Sequence, residues 1–319
     1  CLEALAGVCS STQARASLLM RAGMIADVLG DETSAQSRFE QSLRMAPDDP
    51  GTTILLADRL PPLEADAELS LAELQARAQL CGTRAELAEP GAGRVDWDLD
   101  RAEALEYAGS LAEAGQTVGS VLDQRPDDIR ALQALRRICA RGGDRRNLAR
   151  TCQTLATHLA DAQGRLLLLR EAAQIFDAEL QDVDYAVACY RMILDAEPGA
   201  AEYQRLIELL IEHDDVRTLY RCYSARLNHL DVVGEQNERV PVLLARARLR
   251  AGIGDLRGAS RDLKALLDID GDHNAALLER ARLLERFGEA KQAAQCYQHF
   301  LTVESDLERR ASAELSLSY

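Results

Sequence analysis

Residues 16–49, ASLLMRAGMIADVLGDETSAQSRFEQSLRMAPDD, decide how the chain folds. A helix-favouring run ends at Gly30, an acidic residue follows at once, and a second helix-favouring run ends before Pro47. Gly accepts the left-handed conformation that closes a helix, and Asp caps and favourably charges the first turn of the next one. Pro cannot continue a helix interior. The stretch therefore reads as two antiparallel helices joined by a tight turn. Ala35 stands five residues beyond the glycine and Phe39 four beyond that. The small residue lets two helix axes approach, and the larger one, a turn away, fills the groove beside the contact.

The same signature returns at Gly143-Asp144, Gly254-Asp255 and Gly288-Glu289, followed by Leu148/Cys152, Ala259/Leu263 and Ala293/Tyr297. The Pro marker returns in DQRPDD (123–128) and DAEPGA (195–200). The first unit is 34 residues long, with Gly23 in its eighth place, Ala35 in its twentieth, Phe39 in its twenty-fourth and Pro47 in its thirty-second. This pattern resembles the tetratricopeptide repeat. Units from Val240 and Asn274 abut at the same spacing, and residues 170–199 keep Ala186, Tyr190 and Pro198 behind a longer first helix. The resemblance covers 16–49 and 129–303 and fades over 50–128. It implies an all-α, right-handed α-solenoid of about eight to nine antiparallel helix hairpins.

Three regions are expected: hairpins over 1–81, an irregular loop or hinge over 82–96, and a second array over 97–319. The expectation for the middle rests on Pro61-Pro62, a helix from Leu63 to Cys81, and the Gly- and Pro-bearing GTRAELAEPGAGRVD (82–96). Trp97, the one tryptophan, is expected to cover a helix-pair end. The core is expected at Leu132, Leu135, Cys139, Leu155, Ala186, Tyr190, Ala281, Leu284, Ala293 and Tyr297. A Cys-Tyr dipeptide at 189–190, 222–223 and 296–297 reads as equivalent seats in second helices.

Composition agrees with this reading. Of 319 residues 47% are apolar and only 4% aromatic, so an all-β or doubly wound chain is disfavoured and a packed helical one favoured. A net charge of −15 argues against nucleic acid as partner. No apolar run approaches the ~20 residues that span a bilayer. Basic charge is carried by 35 Arg and two Lys, as coding in a GC-rich bacterium would produce. The eight Cys never form CxxC and read as free core thiols, which suits a cytoplasmic, reducing setting. The chain begins at Cys1 within helix-favouring sequence, as a fragment or a processed chain would. The alternative, a periplasmic or outer-membrane lipoprotein of the motility or pilus-assembly type, would be anchored through Cys1.

No catalytic or nucleotide-binding pattern is present: neither GxxxxGKS/T, GxGxxG after a strand, HExxH nor GxSxG. His213-Asp214-Asp215 has the composition of a metal site, yet a helix end followed by an Asp cap needs the same residues. No catalytic, cofactor-binding or metal-ligating residue is therefore assigned, and a non-catalytic interaction scaffold is expected. The other reading is a docking arm of a larger kinase, protease or signalling ATPase. The resemblance implies that first helices line a groove for a partner peptide or helix, but the Lys and Asn clamp of carboxylate-binding members is missing: Met20, Met24, Gln133, Arg137, Leu278 and Arg282 stand there. Two basic islands remain. Residues 136–150 hold six Arg against one Asp, and 239–264 hold seven basic groups against two Asp. Arg130, Arg137, Arg141, Arg248, Arg282 and Arg286, offset from the apolar seats, are the expected contacts to a protein or peptide with an acidic segment.

Overall fold

Each Gly–acidic pair closes one helix, and in the three Gly–Asp pairs the Asp side chain caps the next, whereas Glu289 makes no side-chain cap. In the computed structural model Gly30, Gly143, Gly254 and Gly288 hold φ of +78°, +71°, +85° and +76°. That region is open to glycine and strained for other residues. Asp31, Asp144 and Asp255 then accept a hydrogen bond from the backbone N–H three residues on, at Ser34, Asn147 and Gly258. Asp214, at φ +54°, takes the glycine's place before Asp215, which caps on Thr218. His213-Asp214-Asp215 is thus a turn and a cap.

The structure describes residues 1–63, 69–89, 91–306, 310–311 and 313–314. Among them are seventeen α-helices and no strand, in two compact units divided after Gln181. The first unit contains α1 (Leu2–Val8), α2 (Thr12–Val28), α3 (Glu32–Met45), α4 (Pro50–Ala57), α5 (Leu71–Leu87), α6 (Ala92–Tyr107), α7 (Leu111–Gln124), α8 (Ile129–Gly142), α9 (Arg145–His158) and α10 (Ala162–Gln174). A π turn, Ile175–Glu179, lengthens α10, which accounts for the longer first helix read from the sequence. The second unit contains α11 (Val183–Ala196), α12 (Glu202–Glu212), α13 (Val216–Val233), α14 (Gln236–Gly252), α15 (Leu256–Leu267), α16 (Asn274–Arg286) and α17 (Ala290–Val303). Within each unit consecutive helices pack as tetratricopeptide-like pairs: α2/α3, α4/α5, α6/α7 and α8/α9 in the first, α12/α13, α14/α15 and α16/α17 in the second.

Two helix bounds differ from the sequence reading. Within 82–96, α5 runs through Leu87 and α6 begins at Ala92, so most of the segment is helical. Gly82 is a packing seat instead of a breaker: a Cβ there would lie 3.3 Å from the side chain of Arg101 on α6. The helix also begins at Leu71, not Leu63, where Ser70 and Glu73 form a reciprocal capping box. Residues 64–68 and Pro90 lie outside the described residues.

The apolar seats do what the repeat register requires. Nine of the ten expected core residues are buried, and Leu135 is the exception, half-covered at the edge of the α5–α8 cluster. Ala186 and Ala281 are fully enclosed, so two helices meet there without a cavity. In each Cys-Tyr dipeptide the tyrosine is buried; the dipeptides sit in α11, α13 and α17, of which α13 and α17 are second helices of their pairs. Phe39 has no exposed surface and anchors the α2–α4 cluster with Ala26, Ala35 and Leu56. Such a ring is worth roughly 1.5–3 kcal/mol in apolar burial. Trp97 on α6 is half-buried with the guanidinium of Arg84 from α5 over its ring at 5.3 Å.

Candidate partner-binding surface

Three of the six expected contact residues lie on α8, and the structure shows where their charge goes. Arg130 donates to Asp96 at 2.6 Å, and Arg137 and Arg141 both reach the carboxylate of Glu106 at 3.3 Å. Asp96 and Glu106 belong to α6, the first helix of the preceding pair. Glu106 is almost completely buried, its side chain 2% exposed, so the two guanidiniums cover a carboxylate that would otherwise be buried unpaired. Arg141 also lies over the Tyr107 ring at 5.4 Å. In the same island Arg136 pairs with Glu171 on α10, and Arg145 with Glu179. The stripe is real, and it is occupied from within.

The second island divides by helical register. Arg246 makes a two-pronged bond to Asp262 of α15 at 2.7 and 2.9 Å, and Arg250, one turn on, reaches the same carboxylate at 3.1 Å and donates to the Tyr220 hydroxyl at 2.7 Å. Asp262 is buried. Arg248, between them, points the other way and pairs with Glu279 of α16 at 2.7 Å. Arg282 and Arg286, one turn apart on α16, are exposed and make no hydrogen bond or ion pair among the described residues.

Two concavities were not foreseen. In the first unit a cleft of about 610 Å³ opens between α3, α4 and α5, with Leu43, Leu56, Leu60 and Leu80 among its walls. It flanks α4, which is only eight residues long; the sequence signal for that short helix is Pro50 at its start and Pro61-Pro62 soon after its end. In the second unit a pocket of about 120 Å³ lies among α11, α12 and α13. No three His, Cys, Asp or Glu side chains converge to hold a metal among the described residues, and none of their helices is long and apolar enough to cross a membrane. All eight cysteines are free thiols, five of them buried. Burial raises the thiols of Cys81, Cys139 and Cys152 to about 11, which keeps them protonated near neutrality.

No protein-family model and no curated protein matches the chain. Among solved structures it is similar to a chain of Naa15/Naa10 bound to HypK-THB (15% identity, TM-score 0.35), covering 93% of this chain and 55% of that one. It is also similar to MamA 41-end from Desulfovibrio magneticus RS-1 (15%, TM-score 0.32; 55% of this chain and 94% of that one). A third is a tetratricopeptide repeat protein from Parabacteroides merdae (15%, TM-score 0.30; 95% and 98%). The chain thus spans about half the length of the first. The repeat assignment itself rests on the helix pairs, their left-handed turns and their caps.

Proposed function

We propose that the chain is a non-catalytic interaction scaffold whose second unit binds an acidic segment of a partner protein across α14 and α16. One comparison between repeats carries this reading. Arg137 and Arg141 stand six and two residues before the turn glycine Gly143, and Arg282 and Arg286 stand six and two before Gly288. The carboxylate that neutralises the first pair, Glu106, stands three before Gly109; the residue three before Gly254 is Ala251. The α16 arginines therefore hold seats whose internal anion has been replaced by a methyl group. A carboxylate from a partner would supply what Glu106 supplies in the first unit, with Arg248 beside it, and bidentate guanidinium–carboxylate geometry would orient the bound segment. Arg130, Arg137 and Arg141 keep exposed edges but hold their helices together first. Buried, protonated thiols support a non-catalytic role and a reducing, cytoplasmic setting.

The test is Ala251→Glu. Partner captured by the parent protein from its native lysate, and identified by mass spectrometry, should be lost from this variant and from Arg282→Glu/Arg286→Glu, with helicity unchanged. Undiminished capture by Ala251→Glu would refute the assignment.

A further inference from the structure

We propose that the second helices of the second unit form a separate docking surface for an acidic peptide segment, with one of its carboxylates seated in the pocket between α11 and α13. The proposal does not depend on the α16 site. From Val216 to Leu230, α13 carries Arg217, Arg221 and Arg226 and no acidic residue. In α15 the one carboxylate, Asp262, is turned inward onto Arg246 and Arg250. The outward face of α15 is thus Arg257, Arg261 and Lys264, on one stripe at i, i+4 and i+7. The two helices share a register: Arg217 and Arg257 are two residues beyond their caps, Asp215 and Asp255, and Arg221 and Arg261 are six beyond. These five side chains are exposed and make no hydrogen bond or ion pair among the described residues. In a chain of net charge −15, a repeated basic ridge with no ion pair of its own is a local reversal of sign that favours an anionic partner segment and disfavours basic ones.

The pocket supplies a point of registration. Arg191 of α11 and Arg221 of α13 both line it, each exposed and without a hydrogen bond or ion pair among the described residues. Tyr203 of α12 forms part of the lining, and its hydroxyl is a buried donor without an acceptor. Arg226 lies over the Tyr203 ring at 5.3 Å and is fixed by the Pro198 carbonyl and Glu238, so this wall is rigid and its charge is spent. Two carboxylates stand nearby. Asp215 caps Thr218 and also attracts Arg191 and Arg217, and Asp195 lines the mouth, so the two offset part of the positive charge. The space, about 120 Å³, suits one side-chain head group and not a folded element.

The experiment titrates a fluorescein-labelled peptide, six Glu residues in an Ala/Gly background, into the intact chain and maps it by amide shifts. Expected are binding that weakens with salt, shifts in α11, α13 and α15, and a loss of at least about tenfold in affinity on Arg221→Glu/Arg261→Glu, with helicity and melting temperature unchanged. Arg282→Glu/Arg286→Glu should leave this binding intact, so failure at one surface is distinguishable from failure at the other. Undiminished peptide binding to Arg221→Glu/Arg261→Glu would overturn the proposal. So would a ridge that ignores the peptide and takes up inorganic phosphate, single-stranded DNA or phosphatidylserine vesicles instead.

Discussion

Replacing Gly23 by Ala should destabilise the protein, although the same change in most helix interiors stabilises it. Gly23 lies within α2, where Ala would ordinarily gain about 0.8–1 kcal/mol in helix propensity. A Cβ at this position would meet the Phe39 ring at 2.6 Å (Cε1), 2.8 Å (Cδ1) and 3.0 Å (Cζ). Carbon atoms rest at about 3.5–4.0 Å, so the ring would have to retreat by about 1 Å. It has nowhere to go: Phe39 is fully enclosed, and the Arg59 guanidinium lies over it at 4.9 Å. Overpacking of this kind costs about 1–3 kcal/mol, which exceeds the propensity gain over most of its range and leaves a net loss of up to about 2 kcal/mol. Thermal unfolding followed by circular dichroism should show the melting temperature falling, by up to about 8 °C. Gly119→Ala is the control, since it lies in α7 with nothing within 4 Å of its Cβ position, and it should raise stability by up to about 1 kcal/mol. Phe39→Leu should cost less in the Gly23→Ala background than alone, because the two changes share one space. A Gly23→Ala protein as stable as the parent would refute this account of the α2–α3 contact.

Asp262→Ala should cost about 3 kcal/mol or more in denaturant titration, because it strands Arg246 and Arg250 beside each other. Arg137→Glu, which an exposed groove residue would tolerate, should lower the melting temperature by placing a second carboxylate against buried Glu106; an unchanged value would show that Arg141 alone suffices. Asp215→Ala should remove about 0.5–2 kcal/mol at neutral pH. Hydrogen bonds from the Thr218 side chain and backbone hold the Asp215 carboxyl below its ordinary 3.8, so its contribution is complete above that value and is lost as pH falls through the depressed native one. The stability difference between Asp215→Ala and the parent should therefore close in acid, and a difference that persists well below pH 3.8 would contradict the capping account.

The turns were legible because their physics is local: a glycine at positive φ and an Asp bonding to the N–H three residues on need no distant partner. The arginine stripe was legible as a stripe, but its internal partners were not. Arg130 finds Asp96 34 residues away, and Arg137 finds Glu106 at 31, so pairing depends on how one repeat sits on the next. The signal was nevertheless present, since acidic residues of α6 stand about one repeat length upstream of basic residues of α8. Gly82 misled for a different reason, because composition does not distinguish a glycine that breaks a helix from one that makes room for Arg101. The apolar cleft beside α4 was missed because the prolines at 50, 61 and 62 bound that helix without showing which neighbours it packs between.

The link between Glu106 and α8 also dictates which neighbours can follow one another. In α2 the residues six and two before the turn glycine Gly30 are Met24 and Val28, so a chain rearranged to put α2 after α7 would leave Glu106 facing two apolar side chains and its buried charge unanswered. Mispairing of that kind is a hazard for any molecule built from near-copies of one unit, during synthesis and after gene duplication alike. The guanidiniums at 137 and 141 act as an address: they let the repeat that carries them dock behind α6 and make the α2 repeat a poor substitute there, whereas α16, with Arg282 and Arg286 in the same seats, is the one repeat that could answer Glu106 in their place.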